Sequence, residues 1–147
     1  GDVRDRLADL GIGSWPLLTG GKGVHVVVPL RRVAGWDSVK LFAKVMATLM
    51  AEAEPKRFVA EMSKAKRTGR IFIDWLRNER GATAIAPFSL RARPGAPVAI
   101  PVGWDELGRL KAANGFGMEA ALERGWDALD LPEPVGLTEA RIASLTG

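Results

Sequence analysis

Thr19-Gly20-Gly21-Lys22-Gly23, preceded by Ser14-Trp15-Pro16-Leu17-Leu18 and followed by Val24-His25-Val26-Val27-Val28, is the stretch on which the fold turns. The flanks read as strands over 14–18 and 24–30, the second a nearly continuous β-branched run interrupted by His25. A short glycine-rich link between two such runs predicts a hairpin, because glycine reaches the positive φ angles that a tight turn demands. Upstream, Val3, Leu7 and Leu10 recur at helical spacing and stop at Gly11 and Gly13. Downstream, Asp37 reads as an N-cap, and Leu41, Phe42, Val45, Met46, Leu49, Met50 and Ala53 follow a 3.6-residue period. A shorter helix is predicted over 57–63, ending in the basic run 64–70. Residues 71–76 read as an apolar strand with Asp74 in its middle. Further strands are predicted at 82–87 and 98–102, Pro101 arguing for an edge or a bulge in the latter. Helices are predicted over 104–113, 117–129 and 138–145. Strands and helices mixed in this order, with a hairpin, make the fold class α+β rather than a doubly wound parallel sheet.

The 147 residues suit one domain, and 47% hydrophobic with 26% charged content suits a folded chain. With no cysteine and one histidine, disulfides, thiolate zinc sites and cysteine nucleophiles are excluded, so any metal must be held by oxygen ligands. No run approaches the roughly 18 apolar residues that span a bilayer, and residues 1–10 do not form a signal peptide, so the chain reads as soluble and cytoplasmic. Its start at Gly1, running directly into a helical pattern, reads as a cut inside a larger protein. The net charge of +4 conceals an asymmetry: residues 56–93 hold ten basic and three acidic side chains, a local excess of seven. Such an excess suits phosphate, on a nucleotide or along nucleic acid; a solvated basic face suits it equally well.

Within the glycine turn, converging backbone N–H groups, the Lys22 cation and the Thr19 and His25 side chains could cradle a triphosphate. The spacing is neither that of a P-loop nor of a dinucleotide fingerprint, and taken alone such a turn is more often only a hairpin. A strand histidine is likewise more often a half-buried structural residue. Asp74, among Ile71, Phe72, Ile73, Trp75 and Leu76, is either an open-face carboxylate paired with Arg70 or Arg77, or a Mg²⁺ or Mn²⁺ ligand for phosphoryl transfer. The chain holds no Asp-x-Asp pair to complete such a centre; Asp2 and Asp5, Asp105 and Glu106, and Asp127 and Asp130 are spaced like exposed helix or cap residues. Arg67, Arg91 and Arg93 offer guanidinium forks suited to phosphate.

Thr19-Gly20-Gly21-Lys22-Gly23-Val24-His25, Ser63-Lys64-Ala65-Lys66-Arg67 leading into Ile71-Phe72-Ile73-Asp74-Trp75-Leu76-Arg77-Asn78, Thr83-Ala84-Ile85-Ala86-Pro87-Phe88-Ser89-Leu90-Arg91-Ala92-Arg93-Pro94, and Trp104-Asp105-Glu106-Leu107 together resemble the polymerase domain of bacterial DNA ligase D, of the archaeo-eukaryotic primase superfamily. The blocks run in order over 1–112, with 113–147 as a helical tail, so the resemblance covers the C-terminal part of such a domain. It implies a primase-like mixed or antiparallel sheet with flanking helices, and nucleotidyl transfer to DNA 3′ ends during non-homologous end joining. It implies that Thr19, Gly20, Gly21, Lys22, Gly23 and His25 bind the incoming triphosphate, that Arg67 and Arg91 contact its phosphates, and that Asp74 is a catalytic metal carboxylate. Mg²⁺ or Mn²⁺ is the implied cofactor. Nucleoside triphosphate and DNA ends are the implied partners, with Ku and ligase and nuclease modules as associates, and no membrane. Thr19 stands where the family usually has Ser. The family's upstream Asp-x-Asp is not in this sequence, and the chain alone is expected to be catalytically silent. The rival reading, from the charge pattern, is a non-catalytic nucleic-acid or nucleotide-binding module using residues 56–93; a purely structural domain is a third.

Overall fold

Strand pairing begins at the glycine turn, across which the two flanking apolar runs meet as antiparallel neighbours. The computed structural model describes residues 1–110, 113–125 and 129–145. Along the chain run α1 (Asp2–Asp9), β1 (Trp15–Leu18), β2 (Val24–Val27), β3 (Leu30–Arg31), α2 (Trp36–Ala53) and β4 (Phe58–Val59). A 3-10 turn (Ala65–Arg67), β5 (Ile71–Phe72), β6 (Ile100–Pro101), α3 (Trp104–Leu107), α4 (Met118–Arg124), β7 (Val135–Gly136) and α5 (Glu139–Ala143) follow. The class is α+β. The chain divides into two compact units: Gly1–Leu30 with Ile85–Val135, and Arg31–Ala84 with Gly136–Gly147.

In the first unit, β1 is the centre of a three-stranded antiparallel sheet of order β2-β1-β6. Trp15 faces Val27 and Leu18 faces Val24 across the hairpin, while Leu17 and Leu18 face Pro101 and Ile100. Pro101 thus sits on an edge strand, where a missing N–H is tolerated. The second strand ends at Val27 instead of running to Leu30, because Pro29 cannot donate to a ladder. Leu18, Val98, Ile100, Val102 and Ala121 form the core, with Phe88, Leu107, Leu110, Ala113 and Phe116 packed against it. Burying side chains of this size contributes about 1.5–3 kcal/mol each.

In the second unit, α2 starts one residue before Asp37, with Gly35 as N-cap and Asp37 in the first turn, where its charge favours the helix dipole. Phe42, Ala47 and Met50 are its buried residues, whereas Leu41 is exposed. The helix expected over 57–63 is instead β4, whose Phe58 and Val59 are both buried and pair in parallel with Ile71 and Phe72 of β5. An aromatic and a β-branched residue, entered through Pro55, favour the pleat, and tertiary pairing overrides a weak helical period.

Other expected elements are shorter than read. The ladder at 71–76 ends with the Ile73 N–H on the Val59 carbonyl. No strand forms over 82–87, where the chain is exposed except at Ile85 and Pro87. The helix expected over 104–113 narrows to α3, with Lys111 and Ala112 outside the described residues; the one expected over 117–129 narrows to α4, with residues 126–128, Asp127 among them, also outside. Thr138 caps α5 by accepting the Arg141 N–H at 3.3 Å. Among the described residues no helix is long and apolar enough to cross a membrane.

Candidate functional site

The glycine turn is built around one hydroxyl. Thr19 is buried, with 8% of its surface exposed. Its Oγ1 donates to the Gly23 carbonyl at 2.8 Å and accepts the Gly21 N–H at 3.3 Å, while its own N–H donates to Gly23 at 3.2 Å. Gly20 adopts φ +66°, and a Cβ there would stand 2.8 Å from Arg91 Cγ and 3.3 Å from the Pro97 carbonyl oxygen. Conformation and space both require glycine at that position. The Gly20 N–H donates to the Ala113 carbonyl at 3.2 Å. The amides of Gly20 and Gly21 are therefore engaged within the protein. Among the described residues, the Lys22 and Gly23 amides carry no hydrogen bond, and both residues are exposed. His25 is half-buried in β2, opposite Leu17.

Arg91 reaches this turn because residues 88–99 fold back as a second, short hairpin. The Phe88 N–H donates to Ala99 at 2.7 Å, Ala99 to Ser89 at 2.9 Å, and Arg91 to Pro97 at 2.8 Å, around a Leu90–Val98 bridge. Its tip closes through Arg93 to Arg91 and Ala96 to Arg93, with positive φ at Gly95 and Ala96. The structure thus brings together Thr19, Gly20, Gly21, Lys22, Gly23 and Arg91. It adds Arg93, whose Cζ would stand 3.6 Å from a Cβ on Gly21. Arg93 carried a sequence signal, since the Arg-x-Arg spacing puts both side chains on one face of an extended segment.

Arg67 and Asp74 belong to the second unit. The Arg67 guanidinium stacks on Phe72, 3.8 Å from the ring centroid, and its Nε is a buried donor without an acceptor among the described residues. Asp74 lies just beyond β5 and not within a strand. Its Oδ1 accepts the Leu76 N–H at 3.1 Å, an Asx turn, and its Oδ2 is 3.7 Å from Arg77 Nε. Both side chains are exposed, so this pair contributes little to stability. Among the described residues no group of three or more His, Asp or Glu side chains could hold a metal ion. One exposed carboxylate engaged in its own turn is not by itself a divalent-metal site.

The family model described as "LigD, primase-polymerase domain" matches residues 1–131. The multifunctional non-homologous end joining protein LigD of Pseudomonas aeruginosa is 43% identical over 118 residues, covering 80% of this chain and 14% of the relative. The corresponding protein of Mycolicibacterium smegmatis is 39% identical over 106 residues, covering 72% of this chain and 14% of the relative. Among solved structures, the polymerase domain from Mycobacterium tuberculosis ligase D in complex with DNA superposes with a TM-score of 0.77 at 35% identity, covering 83% of this chain and 42% of that one. The chain therefore spans about one-seventh of the length of these curated relatives.

Proposed function

The chain belongs to the LigD primase-polymerase family, and from that premise we propose that its first unit binds the triphosphate of a nucleotide to be added to a DNA 3′ end. The observation that carries this reading is the meeting of the two hairpins: Arg91 packs on Gly20, and Arg93 on Gly21, beside the exposed Lys22. Three cations and the two open amides of Lys22 and Gly23 are groups of the kind that take phosphate oxygens. Lys22 supplies a point charge, and the arginines supply planar forks. Thr19 holds the turn's shape from beneath, and His25 lines the strand that leaves it.

In the second unit, Arg67 contributes a stacked guanidinium with one donor to spare, and Asp74 a carboxylate for a Mg²⁺ or Mn²⁺ ion. Asp74 alone does not make a two-metal centre, so the chemistry of the described residues reduces to binding and orienting the triphosphate. We also propose that residues 1–147 form the C-terminal part of a longer polymerase domain, with 1–112 carrying the nucleotide residues and 113–147 the tail; coverage of 42% of the solved domain's chain supports this. On this reading the chain alone does not extend primers. DNA ends, Ku and ligase and nuclease modules are the partners of the whole protein, a cytoplasmic one.

Titration calorimetry of the folded chain with ATP and GTP tests the site. The expected result is binding that Lys22→Ala and Arg91→Ala each weaken about tenfold, as removal of a charge-assisted contact does. A folded chain that binds neither nucleotide overturns the reading. For Asp74 the test is primer extension by an upstream-extended chain: undiminished extension by Asp74→Ala removes it from the chemistry.

A further inference from the structure

Two backbone groups of residues 113–116 hold the two hairpins of the candidate site. The Ala113 carbonyl accepts the Gly20 N–H at 3.2 Å, and the Phe116 carbonyl accepts the Val98 N–H at 2.9 Å. One bond fixes the glycine turn that carries Lys22; the other fixes the strand that returns from Arg91. The segment is secured in turn by its C-terminal neighbour. The Phe116 ring packs on the core of Leu18, Val98, Ile100 and Val102, and the Arg124 guanidinium of α4 lies over that ring, 5.9 Å from its centroid. Arg124 makes a two-pronged contact with Glu106 of α3, at 2.7 and 2.5 Å, and its Nε donates to the Pro101 carbonyl of β6 at 3.1 Å. The Arg124 and Glu106 side chains are 17% and 29% exposed. A planar fork held this far from water fixes direction as well as distance. Arg124 therefore ties together α3, β6 and the aromatic ring that ends the segment 113–116.

We propose that the Arg124–Glu106 pair is a positioning device for the nucleotide turn: it holds residues 113–116 in place, and they set the Gly20 amide and with it the direction of the Lys22 and Gly23 amides. The proposal rests on the triphosphate reading above. Arg124 and Glu106 touch no nucleotide. They act through the backbone of residues 113–116.

Amide hydrogen exchange of the full chain, followed by NMR in Arg124→Met, Glu106→Gln and the charge-swapped Arg124→Glu/Glu106→Arg double variant, tests the device together with ATP titration. In each single variant the Gly20 and Val98 amides are expected to exchange at least about tenfold faster, while the Ile73 amide of the second unit keeps its rate. ATP affinity is expected to fall about five- to thirtyfold, and the double variant to restore both readouts only in part, because a carboxylate at position 124 re-forms the pair with position 106 but cannot donate to the Pro101 carbonyl or lie as a cation over Phe116. Unchanged Gly20 exchange in a folded Arg124→Met chain overturns the proposal. So does equal acceleration at every amide of the first unit, which reports only general loosening. Should Arg124→Met fail to fold, Arg124→Lys keeps stem and charge but loses the fork, and is read by the same criteria. A wild-type chain that does not bind ATP overturns the triphosphate reading itself; Gly20 exchange needs no ligand and decides the positioning role separately.

Discussion

Thr19 uses both roles of its hydroxyl, donating to Gly23 and accepting from Gly21, so the turn's shape depends on an oxygen and not on the methyl beside it. Thr19→Ser is expected to be near neutral. Thr19→Val leaves the buried Gly21 N–H without its acceptor and takes one of two donors from the Gly23 carbonyl, and is expected to cost about 1–3 kcal/mol in urea unfolding. Gly20→Ala meets strain at φ +66° and contact with Arg91 Cγ and the Pro97 oxygen. The same assay is expected to show a loss of about 1–3 kcal/mol, with weaker triphosphate binding because Arg91 must move. These two residues were legible in the sequence, since a glycine turn with a hydroxyl at its start has few conformations open to it. The engagement of the Gly20 amide by Ala113 was not, because an acceptor 93 positions away leaves no local pattern. Asp74 was misplaced for a related reason: the apolar run around it looks continuous, but the ladder that makes it a strand depends on β4, which had been read as a helix.

Single elements carry two further predictions. Ala96, at the tip of the 88–99 hairpin, sits at φ +40° without being glycine. Left-handed backbone costs an alanine about 1–2 kcal/mol, and glycine's extra unfolded-state entropy offsets about half of that. Ala96→Gly is therefore expected to stabilise the chain by about 0.5–1 kcal/mol, measured as a rise in Tm. At the junction of α3 and α4, the hydrogen-bonded Arg124 guanidinium holds the Glu106 carboxyl below its ordinary value of 4.5, against the opposing effect of burial. A carboxyl lowered on folding adds stability that is complete above its unfolded value and is lost as pH falls through its folded one. The chain is thus expected to lose stability as pH drops below about 4.5, and Glu106→Gln to flatten that part of the curve while costing about 1.5–3 kcal/mol at neutral pH. The long α2 and the hairpin were legible because each repeats its period several times. The two-residue strands β4, β5 and β7 were not, since a pair of residues has no period, and their identity comes from what they pair with.

At the scale of the molecule, the basic excess of residues 56–93 is only partly neutralised. Arg57 pairs with Glu54, Lys66 with Glu61 and Arg77 with Asp74, whereas Lys56, Lys64 and Arg80 make no ion pair among the described residues. If these three reach DNA phosphates, log affinity for a DNA end falls steeply with log salt. Replacing all three with alanine is expected to reduce that slope by about three, read by fluorescence anisotropy across a salt series. Charge bias of this kind is visible in composition, without any knowledge of the fold. The division into two units was hidden, because the second is inserted between residues 30 and 85 and closed by the chain's far end.

Each unit also has an indole anchored to its own backbone: Trp104 Nε1 donates to Ser14 at 2.7 Å in the first, and Trp75 Nε1 to Ala60 at 3.0 Å in the second, with Lys44 over its ring. The chain thereby contains two built-in optical reporters. With the other four tryptophans changed to phenylalanine, the emission of the one retained is expected to report the melting of the unit that holds it.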